Sequence, residues 1–492
     1  MTRLSASNLP ENITHFRYDR DAITTGIVHF GVGNFHRAHQ AVYVDDLLNE
    51  GATQWGISGV SLRSSSMKEA LAPQDYLYTL ATLSEANEYR IIGALKNILV
   101  APEQPQAIID IIAAPTTKLV SSTITEKGYG LASGNVDVAH PALKAEFASL
   151  EKPTTIYGFL ARAIIQRFET ACGSKLTIMC CDNISAGGDL LKVGVEHLLK
   201  KHNSEALLWS QDHVSFISSM VDRVSPATDE NLRGLIESKT GRRDASPVCA
   251  EPFKQWIIED VFAEERPAFD KVGAVFVHDI EPFEQMKLRY LNAGHTIAST
   301  LGYLYGDTYV HESLQRPEVL NFMRQALYKN VLPNAVVPNG YDGSTYIQDV
   351  IKRFQNSHLP YANLQVGTDS SQKIQQRWFP TIDQALKSNA DSSYFELCLG
   401  AWAVFIQTAL ENNALNDPKK VEFEQAYRHN ANENGTHYLR AVNRENITPY
   451  LKIANADQFE FYNQSIFIMA VNEYAQKIRE NGIKQTIIDF EL

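Results

Sequence analysis

Over the first half of the chain, short apolar runs alternate with stretches of helical spacing. Ile27-Val28-His29-Phe30 predicts a buried strand that runs straight into Gly31-Val32-Gly33. Helical spacing begins near Arg37 and passes through Val42, Leu47 and Leu48. Further strands are predicted over 55–62, 89–95, 118–124, 176–181 and 272–280. Apolar strands separated by helices mark a mostly parallel sheet covered on both faces. Beyond about Pro282 the pattern changes. Segments 286–304, 319–331, 347–354, 394–410 and 462–483 carry apolar residues at helical spacing, and strand signals become rare. The prediction is an α/β fold with a doubly wound sheet domain over 1–283 and a mainly α-helical domain over 284–492.

Two domains also suit the length. The chain has 492 residues, and one hydrophobic core rarely serves more than about 250–300. A net charge of -12 argues against nucleic acid, whose phosphates need a basic surface. The five cysteines are odd in number and form no CxxC pair. Cys180 and Cys181 close an apolar run, so buried thiols in a reducing cytoplasm are expected. No apolar leader and no span of about 20 apolar residues is read from the sequence, so no membrane partner is expected. A small-molecule ligand and a monomer or weak oligomer remain as the working expectation.

Gly31-x-Gly33, between a strand and a helix, is the context of a dinucleotide-binding turn. Glycine permits the tight turn and lets backbone approach a pyrophosphate. The third glycine of the usual fingerprint is missing from Gly31-Val32-Gly33-Asn34-Phe35-His36-Arg37. A bare pair also fits an ordinary strand-to-helix turn. The strand before it and the βαβ pattern after it favour the dinucleotide. No acidic residue for the ribose hydroxyls ends the second strand, where Ser61-Leu62-Arg63-Ser64-Ser65-Ser66 stands. An arginine among hydroxyls can take a 2′-phosphate instead, so NAD and NADP both stay open.

The sharpest local feature lies in the second half: Glu284, Lys287, Asn292 and His295 along one helical run. On an α-helix Lys287, Asn292 and His295 fall within an arc of about 140°. Alcohol oxidation needs a group to take the hydroxyl proton as hydride leaves. A partly buried lysine serves as that base near neutral pH, because burial disfavours its charged form. An asparagine amide can stabilise the developing alkoxide, and a histidine can orient the hydroxyl. Glu284, one turn before Lys287, can relay the proton. An amphipathic helix with a solvated polar edge would show the same spacing. No zinc-ligand spacing and no GxSxG pattern stand out, so no metal is expected.

Five separated segments, 27–43, 123–129, 180–185, 219–226 and 284–306, resemble the mannitol dehydrogenase family of polyol-specific long-chain dehydrogenases. Segments 251–260 and 369–377 add to the resemblance, which keeps its order over nearly the whole chain. It implies an N-terminal Rossmann-type domain, a helical C-terminal domain, a substrate cleft between them and no zinc. It implies Lys287 as general base, Asn183 and Asn292 as oxyanion donors, and His295 as the orienting histidine. Glu284 and Asp222 resemble proton-relay acids, and Lys373 a substrate-contacting lysine. Gly31, Val32, Gly33, Asn34, Phe35, His36 and Arg37 match the cofactor turn. Thr125, Glu126 and Lys127 match a loop that approaches the nicotinamide.

Departures bear on the substrate. Where mannitol-oxidising members usually carry arginine, eight residues before Lys373, this chain has Gln365, which resembles the fructuronate reductase branch acting on D-mannonate. Lys254, before Gln255-Trp256, is a cation suited to a substrate carboxylate. Ala293-Gly294-His295 replaces the common Gly-Ser-His, Asp369-Ser370-Ser371 replaces Asp-Gly-Ser, and Gly187 stands where the family commonly has asparagine. The expectation leans to D-mannonate/D-fructuronate, with D-mannitol/D-fructose or another polyol as the alternative. A non-catalytic dinucleotide-binding sensor is the non-enzyme alternative, disfavoured because Lys287 and Asn292 are both kept.

Overall fold

The computed structural model describes residues 2–125, 128–132, 135–432 and 446–491. The chain divides into two compact units, Met1–Glu281 and Pro282–Leu492.

The first unit is built on an eight-stranded sheet. Its strands are β1 (Thr25–Phe30), β2 (Gly56–Ser61), β3 (Leu95–Val100), β4 (Leu119–Ser122), β5 (Leu176–Cys180), β6 (Val214–Asp222), β7 (Gln255–Glu259) and β8 (Val275–Val277). They lie in the order β3-β2-β1-β4-β5-β6-β7-β8. The first six are parallel, and β7 runs antiparallel to β6. This is the Rossmann strand order, and it reverses direction between β1 and β4. Ligands of such sheets bind outside the carboxyl ends of the strands at that reversal.

Alternation along the strands decides which face each side chain covers. Ile27, Leu119 and Met179 join one buried cluster with Ala38, Ala41, Val42 and Leu47 of α1 (Asn34–Ala38) and α2 (Gln40–Asn49). Val28, Phe30, Val120, Ile178 and Cys180 face the other way. They pack on α3 (Pro105–Ala113), α4 (Ile156–Glu169) and α5 (Gly187–His202) through Ile108, Leu160 and Leu191. All five cysteines are buried and none is in a disulfide.

Several elements differ from the pattern reading. The apolar run 89–95 supplies two strands rather than one. Glu88–Ile92 pairs antiparallel with Tyr78–Thr82 in a separate four-stranded sheet, and β3 begins at Leu95. Gly93 makes the break: it packs under the Phe16 ring and gives its N–H to Asp45 at 2.8 Å. β6 and β7 lie outside the predicted strands, and the strand expected over 272–280 shrinks to Val275–Val277. The first helix starts at Asn34 and breaks at His39 (φ -125°, ψ -87°) before α2 resumes.

The second unit is helical. In order come α6 (Glu281–Met286), a π turn (Lys287–Asn292), α7 (Ala293–Tyr305) and α8 (Pro317–Ala326) with a second π turn (Leu327–Val331). Then follow α9 (Gly343–Phe354), α10 (Asn363–Val366), α11 (Ser370–Arg377), α12 (Ser393–Glu411) and α13 (Ser465–Glu491). Against expectation, one helix among the described residues is long and apolar enough by composition to cross a membrane. It is α12, with mean hydropathy 1.2, and 78% of its window is buried inside the protein. Its apolar character follows from that burial. At Gly400 an added Cβ would lie 2.9 Å from backbone atoms of Val471 and Ala475, so only glycine lets α13 approach this closely.

Candidate active site

In the first unit the candidate residues gather at the carboxyl edge of the sheet. β1 runs into Gly31, whose φ of 94° belongs to the left-handed region. A Cβ there would sit 2.1 Å from the Thr123 carbonyl oxygen, so the fold itself demands glycine. At Gly33 an added Cβ would meet nothing within 4 Å. The first glycine is filled by protein and the second is open, which fits the close passage of a dinucleotide pyrophosphate.

The polar side chains of this turn face inward. Val32 is buried, and its side chain fills the space over Gly59. Asn34 Nδ2 donates to the Pro226 carbonyl at 3.3 Å, and its Oδ1 accepts from Arg37 at 2.8 Å. The Arg37 guanidinium is buried, donates to the Ser246 carbonyl and stands 5.2 Å from the Tyr78 ring centroid. Phe35 stacks on His39 at 5.2 Å. His36 stacks on His29 at 3.5 Å. His29 in turn contacts Ser121 at 2.8 Å and Thr123 at 2.9 Å, and Thr123 Oγ1 donates to the Gly31 carbonyl at 2.8 Å. Burial holds His29 and His39 down to about 3, and pushes His36 well below its ordinary value. The three imidazoles are therefore neutral packing elements around the turn.

The loop after β4 is tied to the loop after β5. Asp182 accepts from the Ile124 and Thr125 N–H groups at 2.9 and 3.0 Å and from the Tyr129 hydroxyl at 2.6 Å. Burial raises the Asp182 carboxyl, and these donors oppose the shift. Thr125 has φ 63°; Glu126 and Lys127 lie outside the described residues. Asn183 follows Asp182 and is exposed at the same edge. Asp182 was missed in the sequence reading although it stands beside Asn183 in the CDN triplet. Gly187 is explained locally: a Cβ there would lie 2.4 Å from Cys180 Sγ, so an asparagine could not fit without displacing that thiol.

Asp222 ends β6, buried and paired in register with Gln255. Lys254, immediately before Gln255, has a partner within the unit. Its Nζ lies 2.9 Å from Asp46 and 4.2 Å from the Tyr43 ring centroid. Asp46 also binds Arg90. A substrate carboxylate would have to compete with Asp46 for Lys254.

In the second unit, Glu284 lies on α6 and Lys287 opens the π turn, buried to 8% exposure. The α-helical spacing assumed from sequence does not hold here. The Ala293 N–H reaches the Leu288 carbonyl, five residues back. In an α-helix residues five apart diverge by about 140°. Bonds spanning five residues widen the turn and bring Lys287 and Asn292 close to one row. His295, on α7, stacks on Phe354 at 4.6 Å and meets Tyr361 edge-on at 5.6 Å. Ala293-Gly294 leaves Gly294 packed against Leu327 of the second π turn, 3.3 Å from an added Cβ. Lys373 of α11 donates to the Val366 carbonyl at 3.2 Å, which places it beside exposed Gln365 on α10. The positive φ of Asp369 (55°) starts α11, and Ser371 is buried against Asp417 at 2.6 Å. Among the described residues no group of three or more His, Cys, Asp or Glu is arranged to hold a metal ion.

Residues 25–271 match the mannitol dehydrogenase Rossmann domain family, and residues 279–439 match the mannitol dehydrogenase C-terminal domain family. A D-mannonate oxidoreductase of Escherichia coli K12 is 32% identical, with 99% of each chain covered. A polyol:NADP oxidoreductase of Gluconobacter oxydans is 31% identical, again over 99% of both. The solved structure of Pseudomonas fluorescens mannitol 2-dehydrogenase, a ternary complex with NAD and D-mannitol, is 32% identical. It covers 100% of this chain and 99% of that one, with a TM-score of 0.85.

Proposed function

Because the chain belongs to the mannitol dehydrogenase family, we propose that it is a nicotinamide-dependent oxidoreductase interconverting a secondary alcohol and a ketone on a linear sugar alcohol or sugar acid. The observation that carries the chemistry is the π turn from Lys287 to Asn292, whose wider turn narrows the angle between the two residues. Lys287 Nζ takes the proton of the reacting hydroxyl. The Asn292 amide N–H donates to the oxygen as negative charge develops, and His295 fixes the direction of that hydroxyl. Glu284, one turn before Lys287, passes the proton outward. Asn183 as a second donor, Asp222 as a second relay acid and Lys373 as a substrate contact rest on the motifs alone. When bound, the nicotinamide ring takes up or returns the hydride.

NAD is the first cofactor we assign, supported by the likeness to the NAD-bound mannitol 2-dehydrogenase. Arg63 stands exposed just after β2 with Ser64 and Ser65 beside it, a set suited to a 2′-phosphate, so NADP is the second to test. For the substrate, Gln365 and the likeness to a D-mannonate oxidoreductase favour D-mannonate. The ion pair of Lys254 with Asp46 favours the second reading, a neutral polyol such as D-mannitol. The buried cysteines, none in a disulfide, fit a reducing compartment, and we place the enzyme in the cytoplasm. The test is a side-by-side assay of D-mannonate and D-mannitol oxidation with NAD and with NADP, following absorbance of the reduced cofactor. A preference for mannonate supports the acid reading, a preference for mannitol the neutral one, and no turnover of either overturns both.

A further inference from the structure

The π turn ends where α7 begins, and its backbone is unusually well supplied with donors at that junction. Returning from bonds that span five residues to bonds that span four leaves carbonyls at the junction poorly served by the helix itself. Thr296 Oγ1 donates to the Asn292 carbonyl at 3.0 Å. Arg377 Nη1 donates to the same carbonyl at 3.3 Å and to Thr296 Oγ1 at 2.7 Å, closing a triangle. The Trp378 indole N–H, fully buried, donates to the Ala293 carbonyl at 3.3 Å. Both outside donors come from the C-terminal end of α11, the helix that carries Lys373.

Arg377 is an unusual choice for simple bracing. Among the described residues no carboxylate pairs with it, and burial alone holds its guanidinium down to about 10. Desolvating a cation without an acid is costly, and here the compensation is a carbonyl and a hydroxyl of the π–α junction. We propose that Arg377, with Thr296 and Trp378, is a positioning clamp that fixes the register of the π turn and so holds the Asn292 amide in line with Lys287. The inference rests on the reading of Lys287 and Asn292 as the reacting pair.

The experiment compares Arg377→Met, Arg377→Lys, Thr296→Val and the double variant Arg377→Met/Thr296→Val in the full chain. Lys287→Ala is the control. For each, kcat, KM for the sugar, the Kd for reduced cofactor by fluorescence and the Tm are measured. The clamp predicts that Arg377→Met lowers kcat by about tenfold while KM and Kd stay within about twofold. Thr296→Val acts in the same direction. The double variant loses less than the product of the two single losses, because both break one triangle. Arg377→Lys restores part of the rate. A folded Arg377→Met protein with kcat within twofold of the parent overturns the clamp, as does a loss that Arg377→Lys does not relieve. If Arg377→Met does not accumulate, Thr296→Val decides alone: lowered kcat at unchanged KM supports the clamp, and unchanged kcat overturns it. Lys287→Ala separates the two levels. If it retains activity within tenfold, the reading of the reacting pair is wrong. If it is inactive while Arg377→Met is normal, only the clamp is wrong.

Discussion

The two units hold their candidate residues by opposite means. In the first, the candidate cofactor turn offers backbone: Gly31 is locked against Thr123, Gly33 is open, and the neighbouring His36 and Arg37 are turned into the core. In the second, the candidate helix offers side chains, and its backbone departs from α geometry between Lys287 and Asn292. A turn made of backbone tolerates little change in shape but depends on few side-chain functions. A helix that presents a base and a donor depends on both.

The largest expected effect tests the second half of that contrast. Lys287→Ala lowers kcat by about a thousandfold, within the usual range for loss of a general base, and leaves the Kd for reduced cofactor within twofold. Cofactor binding that falls along with turnover would erase the separation of roles. The next pair tests the first half. Gly31→Ala costs about 2 kcal/mol of stability from its left-handed φ and its clash with Thr123, read as a lowered Tm. Gly33→Ala leaves the Tm unchanged and weakens cofactor binding about tenfold, read by fluorescence titration. If Gly33→Ala binds normally, the open space over it is not the cofactor path.

The buried imidazoles give a pH test confined to the first unit. His29 and His39 titrate near 3 in the folded protein against about 6.5 when unfolded. The unfolded chain therefore binds more protons between these values. The stabilisation is complete above about pH 6.5 and is lost as pH falls toward 3, at up to about 1.4 kcal/mol per pH unit for each histidine. Calorimetry should show a clearly lower Tm at pH 5 than at pH 7.5, and His29→Asn should flatten that slope. A Tm independent of pH over this range would mean the imidazoles are not held neutral. The smallest effect is expected at Lys254. Because it is already paired with Asp46, Lys254→Met should shift KM for D-mannonate and for D-mannitol alike, by less than about threefold. A selective rise for the acid would return Lys254 to the substrate.

Much of this was legible in the chain because it is local. The strand-glycine-helix order of 27–37, the apolar alternation of β1, β4 and β5, and the Glu284 to His295 run each depend on residues close in sequence. What stayed hidden depends on distant partners. Gly93 splits one apolar run into strands of two sheets because Phe16 and Asp45 meet it there. β6 was missed because serines interrupt its apolar run, and its place is set by pairing with β5 and β7. The partner of Lys254, Asp46, lies 208 residues away in the chain, so the pair leaves no local signature. Segment 394–410 was legible as a helix, whereas the reason for its apolar composition, its place in the core of its unit, was not.

The sequence by itself determined the α/β then α order, the strand-glycine-helix turn and the list of residue types that alcohol oxidation needs, because periodicity and motif spacing are properties of neighbouring positions. Only the tertiary structure decided how those residues are held. The Asp182 tie between two loops and the grip of Arg377 on Asn292 arise from hydrogen bonds across 53 to 85 residues of chain. Such bonds form only when folding has brought donor and acceptor within about 3 Å, and no pattern along the chain encodes that distance.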